Sequence, residues 1–346
     1  MNISPKENVK LAYEHKVPFY LPSMFTDIVM FIPCMPMERY AGYETGLDGF
    51  GVEWKYEPKT HAPMTTQNHL IDSICDWQKV KFPDLDAIDW EAQAYEDTHL
   101  DMMAFMNGKG RIPFADGHSV MDTDKYILIG NINGPFERMH AIEGFENALC
   151  DLIEEEEACA DYFKAIADWK IKLFHKLAQN YKGIDGINEQ DDYGSAHDLF
   201  MPVETWRKLI KPNLARMVDA VHSEGLLYQH HSCGYIEPLI EDFIEIGVDA
   251  IDTWQGGSNP NLGEIKKKYG DKITFCGGFD NQYVLEKPGV TEEEIRAEYR
   301  RVVDLLAPNG SFIVFPITVG FDFMQPFMDE HFKYGMGFYN KDKSSN

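Results

Sequence analysis

From about residue 125 onward the chain alternates between two kinds of segment. Short, largely apolar runs recur: YILIGNI (126–132), IDGINEQ (184–190), LLYQHH (226–231), VDAIDTW (248–254), KITFCGG (272–278) and SFIVFPI (311–317). Longer amphipathic stretches lie between most of them. The stretch 145–181 is long enough for two helices, and 203–225 is helical with Pro212 marking a break or a first-turn position. IEPLIEDFIEIG (236–247) and TEEEIRAEYRRVVDLLAP (291–308) place apolar residues near the i, i+3, i+4, i+7 spacing of a helix that buries one face. Gly225, Gly247 and Gly270 fall where a glycine ends a helix. The acidic, weakly patterned segment 80–103 reads as a surface excursion with a helix near its end, and the polar tail KDKSSN reads as frayed.

Strand and helix alternating at this spacing mean parallel strands joined by helical crossovers. The runs stay apolar almost to their ends, as strands covered on both faces do. Six are counted here, and PFYLPSM (18–24) and GFGVEW (49–54) can supply two more. Eight strands close an α/β fold of the (β/α)8 TIM-barrel type with an N-terminal extension, in which chemistry sits at the C-terminal strand ends. An open doubly wound sheet is the alternative. No GxGxxG or GxxxxGK[ST] occurs, which removes the usual dinucleotide and nucleoside-triphosphate readings. With no internal repeat and no linker, the whole length 1–346 reads as one barrel domain, with 1–17 and 341–346 peripheral.

Charge narrows the partners. Asp and Glu number 57 against 32 Lys and Arg, a net charge of −25. Nucleic acid and anionic membrane surfaces both require a positive face, so neither is expected as a partner. No apolar run reaches the ~18–20 residues of a membrane span. The opening MNISPKENVKLAYEHKVPFY has no apolar core of the secretory kind. Six scattered cysteines do not form a disulfide framework; the expected compartment is a reducing cytoplasm, where thiols are free to bind metal.

Polar residues gather at the ends of four consecutive runs. They are Glu189, Gln190, Asp191, Asp192 and Tyr193; then His230, His231 and Cys233; then Asp252 and Trp254; then Cys276 and Asp280. In a barrel these ends are neighbours around one mouth. His231 and Cys233 form an H-x-C pair that strand alternation turns to one side. With Cys276 the set is one imidazole and two thiolates, a donor set suited to Zn²⁺ with a fourth position open. The plain alternative is two small buried thiols and a satisfied core histidine. Glu189 or an aspartate can replace either Cys276 or His231 as a ligand, and spacing does not choose. Asp191 and Asp192 serve either acid–base chemistry or helix capping. His230 is a further acid–base candidate, and Tyr193, Trp254 and Asp280 are candidate substrate contacts. The run Glu154–Glu157 reads as a solvated helix face, and His222 as structural. Met35, Met37, Tyr40, Met102, Met103 and Met106 either line an apolar pocket or pack in the core. Asp116 and His118 match only part of a D-x-H-x-x-G pattern, because Met121 stands at its glycine position.

These residues resemble the uroporphyrinogen decarboxylase superfamily over about residues 18–330. The similarity is most specific at GFGVEW (49–54), GNINGPFERM (130–139) with GFENAL (144–149), and DGINEQDDYG (185–194). It continues at H-S-C-G (231–234) with the stretch after it, and at KKYGDKITFCGGFDNQ (267–282). The resemblance implies a (β/α)8 barrel. True decarboxylases of the superfamily carry an Arg-rich M-R-Q-A-G-R segment that grips a polycarboxylate; here the corresponding FYLPSMFTDIVMF has no Arg. The H-x-C-G motif is similar instead to the cobalamin-dependent, zinc-binding methyltransferase branch. Within that branch, enzymes that methylate coenzyme M place a last cysteine in an S-P-G-C pattern. This chain has Phe315, Pro316, Ile317 and Thr318 there.

The chain looks most like the O-demethylase methyltransferases, which pass the methyl group of a methoxylated aromatic to the cob(I)alamin of a separate corrinoid protein. The resemblance therefore implies Zn²⁺, cobalamin carried mainly by that partner protein, and a small aryl ether as substrate; a homodimer is left open. Related zinc enzymes use Glu or Asp with two Cys, which Glu189, Cys233 and Cys276 can supply in competition with His231. Asp191, Asp192 or His230 then orients a neighbouring phenol or returns a proton. A methylcorrinoid:thiol methyltransferase and, behind it, a uroporphyrinogen decarboxylase are the alternatives.

Overall fold

Burial on both faces is what the parallel strands need, and their side chains supply it: every residue of Tyr126–Asn131 and of Ala250–Trp254 is buried. The computed structural model describes residues 3–33, 35–40, 42, 44–58, 62–101, 112–317, 320 and 322–340. Its strands are β1 (Ile28–Phe31), β2 (Gly46–Leu47), β3 (Glu53–Glu57), β4 (Ala62–Thr65), β5 (Tyr126–Asn131), β6 (Gly186–Gln190), β7 (Leu227–His231), β8 (Ala250–Trp254), β9 (Thr274–Gly277) and β10 (Phe312–Ile313). Seven of them form one parallel sheet in the order β1-β5-β6-β7-β8-β9-β10. The sheet curls, and its two edges meet. Val314 N donates to Pro22 O at 2.9 Å and Met24 N to Val314 O at 3.0 Å, next to a parallel bridge between Ser23 and Val314. The fold is an α/β barrel of the TIM type.

Two of the eight expected strands fall elsewhere. PFYLPSM (18–24) contributes only the closing bridge, and the first strand is the later IVMF of β1. GFGVEW is mostly turn, because the Asp48 carboxylate gathers it. Phe50 N donates to Asp48 at 2.9 Å, Val52 N at 3.0 Å and the Trp54 indole at 2.8 Å. Only Glu53 and Trp54 of that motif enter β3, in a separate antiparallel sheet β2-β3-β4 outside the barrel.

The crossover helices form where the spacing predicts them. The stretch 145–181 becomes Phe145–Glu154 and Glu156–Asn180, and 203–225 becomes Val203–Leu209 and Lys211–Ser223, with Pro212 in the first turn of the second. The segment 236–247 holds a short 3-10 turn and the helix Ile240–Glu245, and 80–103 holds Trp90–His99. Glu292–Leu306 begins with a capping box between Thr291 and Glu294. Gly225 and Gly247 take φ of 74° and 84°, as helix-ending glycines do. Gly270 differs: its φ is −66°, and a Cβ there would lie 2.6 Å from the Lys266 carbonyl oxygen. Close approach is what requires that glycine.

Two cores result. The larger lies between sheet and helices. The smaller fills the barrel and contains Ile28, Tyr126, Leu128, Ala250, Cys276 and Ile313 from alternate strand positions, with Val9, Ala12 and Tyr13. Those last three come from the helix Pro5–Tyr13, which starts with a Ser4–Glu7 capping box. Thr274 Oγ1 donates to Ala12 O at 3.0 Å, and the Tyr13 ring sits 5.2 Å from that of Tyr126. The segment 1–17, expected to be peripheral, thus carries a helix that plugs the N-terminal end of the barrel.

Candidate metal centre

Strand alternation settles which side chains at the C-terminal mouth face the barrel interior. Along β7, Gln229 and His231 face inward and Tyr228 and His230 face the helices. Register then places Gln190 beside His231, and His231 beside Asp252. Asp252 is fully buried and its carboxylate accepts from three donors. They are Asn188 Nδ2, Gln229 Nε2 at 2.7 Å and His231 Nδ1 at 2.7 Å. A carboxylate only accepts, so His231 carries a proton on Nδ1 and turns Nε2 toward the mouth. That nitrogen lies 3.5 Å from Cys233 Sγ and 3.9 Å from Asp192 Oδ1. Asp192 is fixed in turn by Cys233 N, which donates to it at 2.7 Å.

Asp192, His231 and Cys233 therefore offer an oxygen, a nitrogen and a sulfur within 4.8 Å of one another, the metal-capable group among the described residues. Burial works against charge on His231, but Asp252 and Cys233 outweigh it and hold its pKa well above the usual imidazole range. Burial and Asp192 push the Cys233 thiol up, with His231 pulling the other way. A borderline-soft divalent cation fits this donor set, and the carboxylate on His231 Nδ1 is the outer partner that metal-binding histidines typically have.

The other anticipated residues lie elsewhere. Cys276 is deeper in the barrel, with Sγ 3.6 Å from Gln229 Oε1. Glu189 faces the opposite side of β6, where Lys170 Nζ lies 3.2 Å from its Oε1. Neither joins the metal-capable group. His230 also faces the helices, stacked on Tyr193 at 5.3 Å and 13° and packed on Phe243. Burial drives its pKa down to about 3, so it is neutral and away from the mouth. Trp254 is buried against Phe275, and Asp280 accepts from Tyr283 N at 2.8 Å as the cap of the next turn. Asp191 is a helix cap: it accepts from Phe136 N at 3.1 Å, Glu137 N at 2.8 Å and the Tyr193 hydroxyl at 2.8 Å. Burial and the Glu137 charge push its pKa up to about 8, against those donors. Asp191 packs so tightly on Gly134 that a Cβ there would sit 2.4 Å from the aspartate's own.

Of the remaining candidates, Met37 and Tyr40 pack on the large core, and Met102, Met103 and Met106 lie outside the described residues, as does the Met35 side chain. His222 pairs with Asp249 at 2.8 Å and His118 with Asp116 at 2.5 Å, both on the surface. The run Glu154–Glu157 is exposed.

Several charged residues at or behind the mouth carried no sequence signal of their own. Arg138 and Lys170 are fully buried between sheet and helices. Arg138 donates to Asp48 at 2.7 Å, tying the GFGVEW turn to the NGPFER helix; Lys170 reaches Glu38 at 3.0 Å and Asn131 at 2.7 Å. Glu137, in the first turn of Pro135–Glu143, accepts from Gln190 Nε2 at 3.3 Å and faces Arg39 at 3.4 Å. Burial, with Asp192 nearby, pushes the Glu137 carboxyl up to about 7, against the pull of Arg39. An acid in the first turn of a helix reads as a dipole partner, and only the tertiary fold brings it to Gln190.

A TIM-type barrel whose mouth holds an oriented histidine, a thiol and a carboxylate belongs to a class with its chemistry at the strand ends. The profile of the uroporphyrinogen decarboxylase (URO-D) family matches residues 119–320, more than half of the chain, and the chain belongs to that family. Among solved structures, a methyltransferase from Methanosarcina mazei superposes with a TM-score of 0.62 at 12% identity, covering 96% of this chain and 99% of that one. At that identity the likeness is one of fold. No curated protein sequence matches the chain.

Proposed function

We propose that this protein is a zinc-dependent, corrinoid-linked methyltransferase that moves the methyl group of a methoxylated aromatic to the cob(I)alamin of a separate corrinoid protein. The observation that carries the reading is the Asp192, His231 and Cys233 group, with His231 Nε2 turned outward by Asp252, at the mouth of a URO-D barrel. The methyltransferase fold neighbour supports it, as does the lack of an Arg-rich segment in 19–31 and of a cysteine at 315–318.

Asp192, His231 and Cys233 would hold Zn²⁺, which when bound supplies Lewis acidity toward an ether oxygen whose departure as phenolate is otherwise slow. Asp252 keeps the imidazole in the binding tautomer. Asn188 and Gln229, spent on Asp252, keep that carboxylate from wandering. The plugged far end of the barrel leaves the mouth as the face for substrate, and the corrinoid partner docks over it.

Two measurements test the reading. Elemental analysis should find about one zinc per chain, lost in Cys233→Ala. Mixing the protein with cob(I)alamin and a panel of methoxyarenes should yield methylcobalamin; transfer from a methylated thiol alone would point to the thiol enzyme, and no transfer from any ether would overturn the proposal.

A further inference from the structure

Breaking an aryl methyl ether leaves its oxygen with an electron pair that ends by taking a proton, and Asp191, Asp192 and His230 are the groups the sequence suggests for that step. The mouth restricts the choice. Asp191 spends its carboxylate on two backbone N–H groups and Tyr193. Asp252 is occupied by three donors, and Asp192 belongs to the metal-capable group. His230 faces the helices, and Asp280 caps a turn.

Glu137 remains. Gln190, whose amide it accepts at 3.3 Å, lies beside His231 on the interior face of the sheet, so the Glu137 carboxyl reaches around to the rim of the same mouth. Its backbone is pinned from two sides. Gly134 N donates to Gln190 O at 2.7 Å, and Arg138, the next residue, is buried on Asp48 at 2.7 Å. Arg39, held by Asn133 at 2.5 Å, flanks its second oxygen. A carboxyl on a pinned helix turn, nearly buried and bonded to a rim amide, is preorganised for a reacting group rather than left to solvent.

Resting on that reading, we propose that Glu137 is the acid that protonates the departing oxygen of the aryl ether. The O–CH3 bond breaks with its electron pair going to oxygen. The Co–C bond forms with the pair held by cob(I)alamin, so the cobalt is oxidised from Co(I) to Co(III). The Glu137 proton moves to the oxygen, and the carboxylate regains a proton from water.

The test is the dependence of rate on the leaving group, read as methylcobalamin formed from free cob(I)alamin and ring-substituted anisoles from 4-cyanoanisole to 4-methylanisole. With wild type the rate should fall gently as the phenol becomes more basic. Glu137→Gln, which keeps the shape, should fall steeply, losing about 10²–10⁴-fold on the basic phenols and far less on cyanophenol. Glu137→Asp should be slower throughout but keep the gentle slope. Zinc content should not change in either variant. Equal slopes in wild type and Glu137→Gln would overturn the assignment of Glu137 alone; a wild type inert toward every anisole would overturn the parent reading and this one with it. Should Glu137→Gln fail to fold, parallel slopes of wild type and Gln190→Ala, which releases the carboxyl from the rim, would also count against it.

Discussion

Asp252→Asn isolates what the carboxylate behind His231 contributes. The change keeps size and shape, and the asparagine Oδ1 still accepts from His231 Nδ1; only the charge goes. Asn188 and Gln229 can rotate their amides to meet the new Nδ2, so the fold should survive. The bond at stake is 2.7 Å long and fully buried. A hydrogen bond to a charged group contributes about 1.5–3 kcal/mol against about 1 for a neutral pair. The difference, about 0.5–2 kcal/mol, falls on His231 as a ligand and corresponds to about 2–30-fold in binding constant, overlapping the lower end of the 10–100-fold range typical of outer partners. The assay is competition for Zn²⁺ against a chromogenic chelator, with circular dichroism and a thermal melt to show the fold intact. Unchanged affinity in a folded Asp252→Asn would refute the argument, because the Asp252 charge would then contribute nothing to His231 as a ligand. Loss of the fold would refute the claim that the amides can readjust.

Two further predictions concern the charges behind the mouth. Asp48→Ala strips one acceptor from Phe50 N, Val52 N, Trp54 and Arg138 and leaves a buried guanidinium short of its partner, so urea denaturation should show a loss of about 3–5 kcal/mol; an unchanged midpoint would mean the turn holds itself. Burial beside Asp151 raises the Glu143 carboxyl from its usual range to about 8. The folded protein then binds the proton more tightly than the unfolded chain. The stabilisation is full below the ordinary carboxyl pKa and is lost as pH rises through about 8. Glu143→Gln should flatten that fall in urea titrations between mildly acidic and mildly alkaline pH, and a slope equal to wild type would remove Glu143 as its source.

Much of the fold was legible because helix and strand periods differ and the crossovers are long. The first strand was not: IVMF is a run of four, and its neighbour PFYLPSM looks as apolar yet supplies only a bridge. At the site, the H-x-C spacing anticipated His231 and Cys233 on one side; Cys233 stands past the end of β7, and its Sγ lies 3.5 Å from His231 Nε2. The same rule, pressed further, would have sent His230 and Glu189 to the other, since they occupy the opposite parity of the same strands. Depth is different. Cys276 faces inward as alternation requires, but its height depends on inter-strand register and on the irregularity between Ile251 and Trp254, and no single strand encodes either. Asp192 reached the metal-capable group through a loop bond to Cys233 N, which pattern reading does not see. The buried pair of Arg138 and Asp48 ties two distant motifs together: Arg138 lies in one, and Asp48 immediately precedes the other.

The helix Pro5–Tyr13 does more than close the floor of the barrel. Tyr13 donates to Gln229 at 2.7 Å, Gln229 donates to Asp252 at 2.7 Å, and Asp252 receives His231. The amino-terminal end of the chain thus has a mechanical line to the imidazole at the opposite pole. A substitution at Tyr13 therefore reaches the support of the imidazole while touching nothing beside it.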